Sequence, residues 1–160
     1  MTHELGQEEG MQVFLDRADK GIIVLCRTSN KGAREFQDKI VCPEMIPLYQ
    51  YVALEVAKSW NANGNCAVVA GATYAEDIGA IREIIGDDMP ILIPGVGTQG
   101  GDLEKAVKNG INSKGEGIII NSSSGILYKS SGPDFAQAAR REAKRLYDEI
   151  NKYRKEAMRE

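Results

Sequence analysis

The sequence predicts an α/β protein built on a parallel sheet of about four βα units. Four short segments, 22–26, 66–70, 90–93 and 117–121, are apolar throughout, as strands covered on a face by helices are. Stretches with helical spacing separate them. Each apolar run leads into a loop rich in Gly, Ser, Thr or Asn. Parallel α/β folds bind ligands at the carboxyl ends of their strands, so these loops are expected to face one common site.

The elements follow in order. Residues 8–19 read as a helix with Met11, Phe14, Leu15 and Ala18 on one face, stopped by Gly21. Strand 22–26 comes next, then the polar loop Arg27-Thr28-Ser29-Asn30-Lys31-Gly32. The spacing of Met45, Tyr49, Val52, Val56 and Trp60 predicts a long helix over 44–62, ended by Asn61-Ala62-Asn63-Gly64. Strand 66–70 leads through Gly71-Ala72-Thr73 into a helix near 75–85 with Ile78, Ile81 and Ile85 inward. Strand 90–93, a loop over 94–101 and a helix over 102–109 follow, with Asp102 at the helix N-cap. Strand 117–121 precedes a last helix, roughly 133–156, with Phe135, Ala139, Leu146, Ile150 and Tyr153 on one side. No linker divides the chain, so residues 1–160 are expected to form a single domain with a flexible N-terminus over 1–7.

Composition narrows the function classes. The chain has 160 residues, 42% of them hydrophobic, enough for one domain with a core. A net charge of −3 and 6% aromatic residues argue against nucleic acid as a partner. No apolar run reaches the ~20 residues that span a bilayer, and the polar N-terminus is not a signal peptide, so no membrane partner and a cytoplasmic location are expected. Cys26, Cys42 and Cys66 are widely spaced and His3 is the single histidine. That pattern implies no metal site and reduced thiols, read as small buried hydrophobes.

The chemistry concentrates in two loops. Ile93-Pro94-Gly95-Val96-Gly97-Thr98-Gln99-Gly100-Gly101-Asp102 holds four glycines ahead of a helix start. Ile118-Ile119-Ile120-Asn121-Ser122-Ser123-Ser124-Gly125 repeats the design one unit later. Glycines let backbone N–H groups approach an oxyanion, and a helix N-terminus adds a favourable dipole, so the pair reads as a phosphate cradle. The same glycines also serve tight strand-to-helix turns. Arg27, directly after a strand, is suited either to an anion or to a neighbouring carboxylate. Asp16, Asp19 and Lys20 read as an ordinary charged helix end.

Together these loops resemble orotidine 5′-phosphate decarboxylase, in particular its longer bacterial branch. The residues that carry the resemblance are Leu25-Cys26-Arg27-Thr28-Ser29-Asn30, Val69-Ala70-Gly71-Ala72-Thr73, the stretch from Ile93 to Asp102, and that from Ile118 to Ile126. It runs from about residue 8 to residue 155 and covers the family's second half. It implies a partial (β/α)8 TIM barrel, with four parallel βα units corresponding to strands five to eight. A full barrel typically needs about 250 residues. The resemblance further implies orotidine 5′-monophosphate (OMP) and UMP as ligands, pyrimidine biosynthesis as context, and no cofactor.

By the same resemblance, Ser29 would face the pyrimidine ring and Pro94 would pack near it. Gln99 would close over phosphate and base. Gly100, Gly101 and the backbone after Ser123 would cradle the phosphate. Simpler roles stay open: Ser29 can cap a turn, Pro94 can end a strand, and Gln99 can face solvent. The family's Asp-x-Lys-x-x-Asp acid–base segment does not occur in this sequence, so no catalytic residue is assigned. Ser124 stands where the family usually has a phosphate-pairing arginine, and Lys31 where it usually has proline. Losing a bidentate arginine removes a contact worth about 1.5–3 kcal/mol, so weak phosphate binding is expected.

Three functions compete: the ligand-binding half of the decarboxylase, inactive alone; a non-catalytic nucleotide- or phosphate-binding half-barrel; and another phosphate-binding barrel enzyme, such as an epimerase or aldolase relative. The Gln99-to-Asp102 continuation and the Thr28-Ser29-Asn30 loop favour the first over the third. A half-barrel leaves two open sheet edges and an uncovered apolar face, so a homodimer or a complementing N-terminal half is expected as partner.

Overall fold

A computed structural model describes residues 6–96 and 101–159. Four strands, β1 (Ile22–Arg27), β4 (Cys66–Ala70), β5 (Ile91–Pro94) and β6 (Ile118–Asn121), form one parallel sheet in the order β1-β4-β5-β6. Register pairs Val24 with Val68, Val68 with Ile91, and Ile91 with Ile118. The expected strands lie within a residue of these bounds. The fold is therefore α/β: four consecutive parallel βα units of a (β/α)8 barrel.

Alternation along the strands sends one set of side chains to the helices and the other to the opposite face. Ile22, Val24, Cys26, Val68, Ala70, Ile91 and Ile93 are buried beneath the helical layer. That layer comprises α3 (Leu48–Glu55, continued by a π-helical turn Val56–Trp60), α4 (Ala75–Ile85), α5 (Leu103–Gly110) and α7 (Phe135–Ala157). On the other face Leu25, Val69 and Leu92 are only half-buried, and Ile119 is 49% exposed. This is the face that points inward in a closed barrel.

α4 matches its predicted span, with Ile78, Ile81 and Ile85 buried. The Asp102 side chain accepts from Lys105 N at 3.1 Å and caps α5, as its position in the sequence implied. Other expectations are corrected. The first helix is a turn over Gln7–Met11 and α1 over Gln12–Leu15; it ends well before Gly21, and Phe14 and Ala18 are exposed. The helix expected from 44 begins at Leu48, because 40–47 form a small antiparallel pair, β2 (Ile40–Val41) and β3 (Ile46–Pro47). Met45 turns between them with φ +56° and is exposed. Phe135, expected inward, is 61% exposed at the first turn of α7. Cys26 and Cys66 are buried hydrophobes as expected, but Cys42 is exposed. Burial pushes the Cys26 thiol up to about 12, and its Sγ donates to Tyr49 O. Two short helices complete the chain: α2 (Arg34–Gln37) after a 3₁₀ turn Lys31–Ala33, and α6 (Ser124–Leu127).

α7 is fastened to α6 by a charge cluster. Glu142 is buried and takes Arg145 at 2.6 Å and Lys129 at 3.1 Å. Hydrogen bonding from Arg145, with Lys129 adding to it, holds the Glu142 carboxyl down from 4.5 to about 2. The unfolded chain protonates this group first as pH falls. The cluster therefore contributes its full stability above about pH 4.5 and loses it as pH falls towards 2. Glu142→Gln is expected to lower the melting temperature at pH 7, with the deficit closing towards pH 2; a deficit constant across that range would contradict the assignment. Among the described residues, no helix is long and apolar enough to cross a membrane.

Candidate functional site

The loops at the carboxyl ends of β1, β4 and β5 meet on the open side of the sheet. β1 ends at Arg27, and Thr28-Ser29-Asn30 turn across the end of β4. Gly71 N donates to Arg27 O at 2.9 Å, which brings the two loops together. A Cβ on Gly71 would stand 2.9 Å from Ser29 N and inside the radius of its hydroxyl, so only glycine lets Ser29 sit there. Ser29 Oγ is buried and has no hydrogen-bond partner among the described residues. An orphaned buried hydroxyl costs free energy, and such groups call for a functional explanation.

Ser29 and Pro94 border the same concavity of about 460 Å³, together with Leu25, Val69, Thr28, Asn30 and Lys31. Its wall is apolar, supplied by the inward-facing strand residues, and its rim is polar. Lys31 is the one cation of this lining. A second concavity among the carboxyl-end loops is lined by Arg34, Ala72, Tyr74, Asp77, Asp102 and Lys105, and others lie against the last turns of α7 near Lys114, Gly115 and Arg154, at the end of the sheet where β6 begins. That end is the wrong one for ligand binding in a parallel sheet.

The remaining predicted residues divide. Gly101 bridges Val96, and a Cβ there would meet Ala72 Cβ at 2.6 Å and Gly95 O at 2.7 Å, so this glycine packs the third loop onto the second. Ser123 precedes α6, its carbonyl accepting from Leu127 N at 2.8 Å, and Ser124 opens that helix. Both lie beyond β6, at the other edge of the sheet from Ser29, and neither lines the concavity. Gln99 and Gly100 lie outside the described residues.

The structure resolves the two readings of Arg27 in favour of carboxylates. Its side chain is 2% exposed and pairs with Asp38 at 2.7 Å and Asp77 at 2.8 Å. It stacks on Tyr74 at 4.2 Å and on Tyr49 at 4.9 Å. Tyr49 in turn donates to Asp77 at 3.2 Å. Asp38, Tyr49, Tyr74 and Asp77 gave no signal at the sequence level, because they sit up to 50 residues from Arg27 and join it only through the fold. Asp16, Asp19 and Lys20 are exposed, with Asp19 paired to Arg17 and Lys20; only Asp16 is at a helix end, as the C-cap of α1, and Asp19 and Lys20 lie in the turn beyond it.

A four-stranded parallel sheet with one face under helices, one face open, and a concavity among the carboxyl-end loops defines half of a βα barrel. The comparisons specify which. Residues 2–141 match the model of the orotidine 5′-phosphate decarboxylase / HUMPS family, and the chain belongs to that family. An orotidine 5′-phosphate decarboxylase of Janthinobacterium sp. (strain Marseille) is 48% identical over 145 residues, covering 91% of this chain and 52% of that protein. Among solved structures, Leishmania donovani UMP synthase superposes with a TM-score of 0.81 at 35% identity, over 96% of this chain and 32% of that one. Leishmania donovani OMP decarboxylase gives 0.79 at 32% identity, over 96% and 55%. The chain spans about half the length of the curated relatives it matches, and corresponds to their C-terminal half.

Proposed function

We propose that this chain is the nucleotide-gripping half of an orotidine 5′-monophosphate decarboxylase, which removes the C6 carboxylate of its substrate to give UMP. The observation that carries the reading is Ser29, its hydroxyl seated on Gly71 without a partner among the described residues, beside an apolar wall of Leu25, Val69 and Pro94. Such a wall suits a flat pyrimidine, and a rotated Ser29 hydroxyl supplies it a hydrogen bond. The phosphate falls to the loop holding Gln99, Gly100 and Gly101 and to the turn at Ser123 and Ser124. Because the sequence lacks the Asp-x-Lys-x-x-Asp segment, the proton for C6 must come from outside this chain. On its own, this half binds nucleotide monophosphate without turnover, in the cytoplasm.

The open face supports an obligate partner. The free edges of β1 and β6 run parallel, so either a second copy related by a two-fold axis along the barrel or a complementing N-terminal half can continue the sheet at both seams.

Ser124→Arg tests the phosphate assignment. Restoring a bidentate cation is expected to tighten UMP binding by about tenfold or more while leaving uridine unchanged. Unchanged UMP affinity would place the Ser123–Ser124 turn away from the phosphate.

A further inference from the structure

We propose that Gln37 is a positioning residue that holds the Thr28–Asn30 loop in its ligand-binding shape, with buried Arg27 as its anchor. The inference rests on the nucleotide reading above and adds a residue to it. Gln37 Oε1 accepts from Thr28 N at 3.1 Å and from an Arg27 guanidinium nitrogen at 3.4 Å. Gln37 Nε2 donates to Thr28 Oγ1 at 3.0 Å, and Thr28 Oγ1 donates on to Asn30 Oδ1 at 2.6 Å. One amide thus grips Thr28 by both backbone and side chain, and passes the constraint across Ser29 to Asn30.

The element that carries Gln37 has little else to hold it. α2 is four residues long and buries none of its side chains. What docks it is polar: Gln37 on Thr28 and Arg27, Asp38 on Arg27, and Arg34 over the Tyr74 ring at 5.2 Å. Arg27 is itself fixed on the far side by Asp77 and by the faces of Tyr49 and Tyr74. A rigid, desolvated cation therefore sets α2, and α2 sets the loop. Binding groups hold their geometry through supporting hydrogen bonds of this kind, and small displacements cost large factors in affinity. A purely fold-maintaining role would predict a cost in stability; a positioning role predicts a cost in binding, because Gln37 is outside the core.

The test compares Gln37→Met with Gln37→Glu in the full chain, measuring UMP affinity by calorimetry, melting temperature, and amide exchange at Thr28. Glutamate keeps the acceptor for Thr28 N and Arg27 but loses the donor to Thr28 Oγ1, whose one proton is given to Asn30; methionine loses both acceptor and donor. Gln37→Met is expected to speed Thr28 exchange and weaken UMP by about tenfold or more at an unchanged melting temperature, while Gln37→Glu keeps the Thr28 amide protected and loses less affinity than Gln37→Met. Faster exchange with unchanged UMP affinity would overturn the positioning role while leaving the nucleotide site intact. Unchanged exchange would overturn the latch itself. Absence of UMP binding in the unsubstituted chain would overturn the nucleotide reading, and the inference with it.

Discussion

Arg82→Met is expected to destabilise the chain by about 3–5 kcal/mol, enough to unfold much of it. Arg82 lies on α4, is 8% exposed, and places its guanidinium among four carbonyls. It donates to Gly110 O at 2.9 Å, Gly86 O at 2.7 Å, Met89 O at 2.7 Å and Gly117 O at 2.8 Å. Those carbonyls end α4 and α5 and lead into β5 and β6, so one side chain ties the amino-end loops of two consecutive βα units. Burial pulls the guanidinium below its ordinary range, with Asp87 acting against that, but its basicity is so high that it stays charged. Methionine keeps the packed stem and strands the carbonyls, and hydrogen bonds to a charged group are worth about 1.5–3 kcal/mol each. Lysine cannot replace it, because a point charge on a flexible stem cannot span four acceptors in a fork. The midpoint of urea unfolding reads the effect, and a loss below about 1 kcal/mol would mean that water replaces the clamp.

Gly71→Ala is expected to cut UMP affinity by about ten- to a hundredfold with a cost in stability of about 1–3 kcal/mol. The backbone at Gly71 is extended, with φ −68° and ψ 136°, so alanine meets no conformational penalty there. The conflict is with Ser29, whose backbone N would lie 2.9 Å and Cα 3.1 Å from the new methyl group. Ser29 must move, and with it the hydroxyl and the edge of the concavity. Gly79→Ala provides the matched control, since its Cβ meets nothing nearer than 3.7 Å and sits within α4. It should stabilise the chain by about 0.5–1 kcal/mol and leave binding alone. Equal UMP affinity in Gly71→Ala and the unsubstituted chain would remove Ser29 from the site.

The sheet was legible because its strands are uninterrupted apolar runs that end in glycine- and serine-rich loops. α4 and α5 were legible for the same local reasons: isoleucines at helical spacing, and an aspartate cap. What escaped was either too short to show a period or settled by distant contacts. β2 and β3 have two residues each and α2 has four, below the length at which alternation or helical spacing is visible. Tyr49 and Val52 do lie on a helix, but the apparent period runs back to Met45 across the two residues of β3. Phe14 and Phe135 fit a helical face by spacing, yet both are exposed. The candidate site divides the same way. Ser29 and Pro94 were found from their loops and do share a concavity. The Arg27 network, and Gln37 within it, depends on contacts 10 to 50 residues apart that no local pattern announces.

In the proposed function, the carboxyl-end loops of this half-barrel hold the phosphate and base of a pyrimidine nucleotide. Calorimetric titration of the purified chain with UMP and with uridine tests it most directly. Measurable but weak binding of UMP, distinctly weaker binding of uridine, and no decarboxylation of OMP by the same sample are expected. Equal affinity for the two ligands, or turnover by the chain alone, would contradict it.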